Sequence, residues 1–236
     1  MEIEAPDLQT LFKRMNSAVL TMPEFVSETR IGRAHELIDV TGRAKTTLDF
    51  QFSDARINRI SYDYADKFWD FMISGGTDAQ EAFKDYPNVA KFMTKPKSTE
   101  LPANFNTFYG PRIVKQLDSI VAELFRNPTT RRATMLILDA NDLQLLDKDE
   151  SLEFPCTISW NFQIRGGKLI MSCFMRSQNM ATVFQLDIYL QIRLLHKIAA
   201  ALSIKPENTE YHVHMANGHL FERDFEYVKS FLAASA

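Results

Sequence analysis

Apolar residues recur at helical spacing over residues 8–21, over 59–74 (Ile60, Tyr64, Phe68, Trp69, Phe71, Met72) and over 112–126 (Ile113, Leu117, Ile120, Val121, Leu124). Asn127-Pro128 stops the third of these runs. Residues 35–53 predict two short strands around Thr41-Gly42-Arg43. The second half alternates more regularly. It predicts a strand over 133–138, a strand over 154–164 with Cys156 inside it, a turn at Gly166-Gly167, and a strand over 168–175. Gly-Gly between two alternating runs is a hairpin signal. A long apolar helix over 183–202, a strand over 211–216 and a last helix over 218–233 complete the pattern. Residues 76–108, with several prolines, lysines and polar residues, read as a variable insert in one domain spanning 1–236. Hairpin strands mixed with long helices predict the α+β class.

Composition narrows the function classes. The 236 residues are 45% hydrophobic and 24% charged, an ordinary balance for a globular protein. A formal net charge of -3 gives no general basic field for nucleic acid, but leaves room for a local basic pocket. No apolar run approaches the ~20 residues that span a bilayer. The acidic start lacks the basic-then-apolar pattern of a secretory signal, and two cysteines are too few for a disulfide scaffold. The expectation is a soluble protein of a reducing cytoplasm.

Several residues are candidates for chemistry. Cys156 is either a small buried hydrophobe or a nucleophile, and the second role needs a cation to favour its thiolate. Arg176, at the end of the next hairpin strand, is placed to supply one. Arg131-Arg132, after the turn Asn127-Pro128-Thr129-Thr130, is either surface charge or a bidentate phosphate clamp. His212, His214 and His219 raise a metal site, but no carboxylate or thiol completes a set, and none is assigned.

The order of these residues carries more than any one of them. Tyr109-Gly110, the Asn127–Arg132 segment, Pro155-Cys156, Arg176-Ser177, Asp187 and Gly218-His219-Leu220 follow one another as in the thymidylate synthase superfamily, which the chain resembles over about residues 105–228. The resemblance implies a thymidylate synthase fold with a mixed, largely antiparallel sheet, long helices, and a homodimer packed through the sheet. By the same likeness Cys156 is the nucleophile that adds to C6 of a pyrimidine nucleotide. Arg131 and Arg132 resemble the phosphate arginines that reach into the partner subunit; Arg176 and Ser177 resemble the phosphate ligands of the same subunit. Arg30 resembles the phosphate-loop arginine, and Tyr109 the tyrosine supporting proton transfer at C5. His219 matches the sugar contact, Asn179 a folate-binding aspartate, and Asp66 the catalytic glutamate. The implied co-substrate is 5,10-methylenetetrahydrofolate.

Asp187 bears on the base. The synthases have an asparagine at the matching position, whose amide suits uracil, whereas a carboxylate suits the 4-amino group and protonated N3 of cytosine. Asp187, Thr157 and Met175 resemble the bacteriophage deoxycytidylate hydroxymethylases, a branch whose product serves DNA modification. The end Ala233–Ala236, without the synthases' apolar tail, leads to the same expectation: water reaches the exocyclic methylene, and the product is 5-hydroxymethyl-dCMP. Val183 for glycine and Phe221 for tyrosine depart from the family pattern. The alternatives are C5 methylation of dCMP, hydroxymethylation of dUMP or CMP, and a nucleotide-binding homologue without catalysis. No direct nucleic-acid or membrane partner is expected.

Overall fold

The computed structural model describes residues 1–47, 50–86, 109–146 and 154–233. Most of the predicted insert, residues 87–108, lies outside them.

Among the described residues, eight strands form one mixed, open sheet: β1 (Glu2–Ala5), β2 (Phe25–Thr29), β3 (Gly32–Lys45), β4 (Thr134–Leu136), β5 (Thr157–Arg165), β6 (Lys168–Met175), β7 (Gln178–Asn179) and β8 (Thr209–Phe221). The order is β1-β3-β8-β6-β5-β4, with β2 on β3 and β7 on β8. β8 is antiparallel to β3 and parallel to β6 and β7. The helices are α1 (Leu8–Thr21), α2 (Tyr62–Ile73), α3 (Ala79–Ala82), α4 (Tyr109–Arg126), α5 (Phe184–Ala201) and α6 (Phe225–Leu232).

Local chemistry sets several of these boundaries. Asp7 caps α1 by accepting the Thr10 N–H (2.7 Å), and Ser61 caps α2 by accepting that of Tyr64 (3.4 Å). One face of the sheet carries Leu37, Val40, Trp160, Phe162, Met171, Val213 and Met215, all fully buried. Leu11, Phe12 and Met15 of α1, with Ile188, Leu195 and Ile198 of α5, are buried in the same core. The other face leaves Ile158 and Phe174 exposed and the His214 ring stacked on Phe174 at 4.9 Å. Among the described residues no helix is long and apolar enough to cross a membrane.

Three expectations change. Residues 35–53 do not make two strands, because β3 runs unbroken through Thr41-Gly42-Arg43, paired with His214, Val213 and His212 of β8. Gly42 is there because a Cβ would meet the Met15 sulfur at 2.9 Å, and not because the chain turns. β8 extends through Gly218-His219, so the last helix begins at Phe225 and not at 218. The two ladders flanking β8 outweigh any helical periodicity in 218–221. Cys156 lies just before β5 and not inside it. Pro155 has no N–H to offer a ladder, and a register shift between Thr157 and Ser159 bulges the strand's start.

Helix α4 is fixed at its first turn. Arg112 grips the nearly buried Asp142 with two hydrogen bonds of 2.6 Å. Gly110 lets α4 approach α2, since a Cβ there would stand 2.7 Å from the Met72 carbonyl oxygen. Gly110→Ala is therefore expected to destabilise the fold by about 1–3 kcal/mol, in spite of alanine's better helix propensity. Thermal unfolding measures it: a fall of ~2–4 °C per kcal/mol is expected for this size, and an unchanged or raised Tm contradicts the close approach.

Candidate active site

The β5–β6 hairpin brings Cys156 and Arg176 together. The half-buried Cys156 accepts the Arg176 N–H on its carbonyl at 2.8 Å. The Arg176 guanidinium lies over the Phe154 ring (4.7 Å) and donates to the carbonyls of Pro155 (2.8 Å) and Phe154 (3.1 Å). Its Nη2 is 3.7 Å from Cys156 Sγ.

Tyr109 opens α4 and meets the same loop: its hydroxyl oxygen accepts the Thr157 N–H at 3.2 Å. Trp160 stands edge-on to it, ring centroids 5.9 Å apart. Asp187, in the first turn of α5, joins Tyr109, Trp160, Met72, Leu190 and Gln191 around one small cavity. Desolvation pushes the Asp187 carboxyl up to about 7, against a smaller pull from a Gln178 hydrogen bond. Burial, reinforced by the charges of Cys156 and Asp187, raises the Tyr109 phenol far above its ordinary range. Tyr109 therefore keeps its proton and can act as a donor, never as a resident base.

The Cys156 thiol is also raised. Burial is the largest cause, Arg176 pulls the other way, and Asp187 adds to the rise. One arginine at 3.7 Å lowers the thiol less than burial lifts it. The sequence-based view that arginines favour the thiolate holds for the direction of Arg176's effect and fails for the balance. Cys173, fully buried on the core face, is raised further by the same desolvation.

Beside Arg176, Ser177 Oγ lies 3.4 Å from His219 Nδ1, which is also 3.2 Å from Asn217 Oδ1. Burial holds His219 down at about 4, so the ring is neutral at physiological pH. Asn179 accepts the N–H groups of Ala181 and Thr182 (both 3.2 Å) on Oδ1, which shapes the turn into α5. Gln178, Trp160, Gln191 and Asn217 were not predicted for the site. Of these, Gln178 and Asn217 sit next to motif residues; nothing in periodicity distinguishes Trp160 or Gln191 from core.

Four predicted residues are not drawn into this cluster. Arg30 is exposed in the two-residue turn between β2 and β3, where Arg223 braces the loop through the Ile31 carbonyl (2.9 Å). Arg131 and Arg132 are exposed ahead of the edge strand β4. Asp66 pairs with Arg193 and accepts the Tyr189 hydroxyl at 2.7 Å. Tyr189 follows Asp187 by two residues on α5, so it points to the opposite flank of the helix. His212 and His214 lie on the outer face of β8, His212 3.7 Å from Glu210, away from His219.

Residues 80–235 match the thymidylate synthase family. The chain belongs to that family. Similar proteins include a "Putative thymidylate synthase" of Methanosarcina barkeri, 25% identical over 157 residues that cover 64% of this chain and 66% of that protein. One of the same name from Methanosarcina acetivorans is 25% identical over 139 residues, 56% of this chain and 61% of that protein. Another, from Methanocaldococcus jannaschii, is 27% identical over 187 residues, 66% of this chain and 83% of that protein. The chain thus spans less than two thirds of the length of the two Methanosarcina proteins.

Alkylation tests the thiol balance. The iodoacetamide reactivity of Cys156 is expected to keep rising with pH past the ordinary thiol range near ~8.5. Arg176→Gln should move that profile to still higher pH, since the lowering charge is gone. Mass mapping separates Cys156 from Cys173; a profile unmoved by the substitution contradicts the coupling.

Proposed function

We propose that this protein transfers a one-carbon unit to C5 of a cytosine nucleotide and releases 5-hydroxymethyl-dCMP. The observation that carries the reading is the carboxyl of Asp187 in the cavity beside Tyr109 and Cys156. A carboxyl that holds a proton up to about 7 can donate to N3 of cytosine and accept from its 4-amino group. Ionised, it would face the O4 oxygen of uracil with like charge.

In this reading Cys156 adds to C6, turning C5 into an enamine-like carbon that takes up the one-carbon unit. Methylenetetrahydrofolate, the co-substrate of thymidylate synthases, would supply that unit, with Asn179 Nδ2 among its contacts. Water held by the Tyr109 hydroxyl would take up the C5 proton, and loss of that proton would let the folate nitrogen leave, giving an exocyclic methylene on C5. Water would then add to that methylene, Cys156 would leave C6, and dCMP would have gained CH₂O. Arg176 and Ser177 hold the phosphate. Arg30 joins them from its loop, and Arg131 and Arg132 do so from a second subunit. A homodimer through the outer sheet face would cover the exposed Ile158 and Phe174 and carry those arginines across. Asp66 takes the role of proton relay only if it leaves Arg193. A second reading, methylation of a uracil nucleotide, is favoured by the name thymidylate synthase that the relatives carry.

Tritium release from 5-³H-dCMP and 5-³H-dUMP, with and without methylenetetrahydrofolate, tests the proposal when joined to mass analysis of the product. Folate-dependent release from dCMP with a gain of CH₂O is expected, and Cys156→Ser should abolish it. Release from dUMP alone, with a gain of CH₂, would establish the second reading instead. Asp187 is tested through pH. The KM for dCMP should rise as pH climbs past about 7, because the shared proton is then lost. Asp187→Asn should remove that rise and shift preference toward dUMP. A flat KM profile in the unaltered protein would make Asp187 a structural residue.

A further inference from the structure

A chain of hydrogen bonds runs from the sheet edge into the site. Ser27 Oγ donates to Glu36 Oε2 at 2.5 Å, and Asn217 Nδ2 donates to Glu36 Oε1 at 3.0 Å. Glu36 of β3 and His219 of β8 are direct cross-strand partners. A carboxylate oxygen only accepts, so the Asn217 group facing Glu36 has to be the amide nitrogen. The other end of that amide, Oδ1, then points at His219 Nδ1, 3.2 Å away. Two lone pairs cannot face each other at that distance without repulsion, so Nδ1 has to carry the proton.

We propose that Glu36, acting through Asn217, is a positioning residue that locks neutral His219 in its Nδ1–H tautomer. The ring nitrogen left bare is Nε2, which is an acceptor. Ser177 Oγ, 3.4 Å from Nδ1, then receives the weaker branch of that N–H and keeps its own hydroxyl proton for another partner. The Phe221 ring, edge-on at 5.0 Å, offers no polar atom to compete. The site thus presents an acceptor at His219 and a donor at Ser177, side by side with the Arg176 cation. That set fits a ligand carrying a hydroxyl a short distance from an anionic oxygen, as a nucleoside monophosphate does. The fit to a nucleotide rests on the function proposed above; the tautomer rests on the hydrogen bonds alone.

Long-range ¹H–¹⁵N correlation spectra of the full-length, nitrogen-labelled protein, recorded without nucleotide, report the tautomer directly. The unaltered protein should show Nδ1 protonated and Nε2 bare. In Glu36→Gln the new amide can donate as well as accept, which frees Asn217 to flip. The Nδ1–H to Nε2–H ratio should then fall about fivefold, the worth of one net hydrogen bond. The double variant Glu36→Gln, Asn217→Asp restores an acceptor-only group beside Nδ1 and should bring the ratio back. Ser27→Ala keeps the Glu36–Asn217 bond and should leave the ratio as it was. An unaltered protein with Nε2 protonated, or a ratio that Glu36→Gln does not move, overturns the proposal, as does a double variant that fails to restore it. The measurement needs no turnover, so it stands or falls apart from the reaction. If both hold, Glu36→Gln should raise the nucleotide KM about fivefold with a smaller change in kcat.

Discussion

β8 is the strand on which the rest of the structure depends. It pairs antiparallel with β3 on one side and parallel with β6, then β7, on the other. A parallel neighbour in register places the end of β6, where Arg176 and Ser177 emerge, beside the stretch of β8 that ends in Gly218-His219. The antiparallel β3 delivers Glu36 to the other side of His219. Gly218 makes the convergence possible, because a Cβ there would meet Val40 at 3.0 Å and run into the Met180 side chain. A one-residue slip in either ladder would turn His219 into the core and dissolve the site.

Burial gives this site its electrostatic character. Cys156, Tyr109 and Asp187 share one poorly solvated region, and desolvation pushes each toward its neutral form before any neighbour acts. Their charges also oppose one another, since ionising Asp187 would raise both the thiol and the phenol. Arg176 is the counterweight that the fold provides at close range. A further cation brought close, or an anion's charge redistributed around the guanidinium, would be felt strongly because little water screens it. The exposed arginines at 30, 131 and 132 lie outside this cluster.

The motif residues showed how little information some of the site needs. Tyr109, Cys156, Arg176, Ser177, Asp187 and His219 were singled out by their order along the chain, which resembles that of the thymidylate synthase superfamily, while periodicity alone left the role of each open. Asp66 was placed by its neighbour Trp69, and that local signal could not report Tyr189 and Arg193, which lie about 125 residues away and take the carboxylate. Glu36 carried no signal, and Asn217 none beyond its place next to Gly218-His219, because an amide and a carboxylate on two strands look like solvated positions until the strands pair.

The sequence by itself determined the hairpin β5–β6, the helices α1, α2, α4 and α5, and the order of the reactive groups, since periods of two and 3.6 residues are local properties of the chain. It misread Thr41-Gly42-Arg43 and residues 218–221, where polar or small residues imitate a turn and a helix start. Only the tertiary structure decided those, because ladder hydrogen bonds come from strands some 170 to 190 residues apart. It also decided the protonation of the site. Whether Cys156, Asp187 or His219 carries charge depends on how much water the assembled core leaves beside it, and no stretch of sequence contains that quantity.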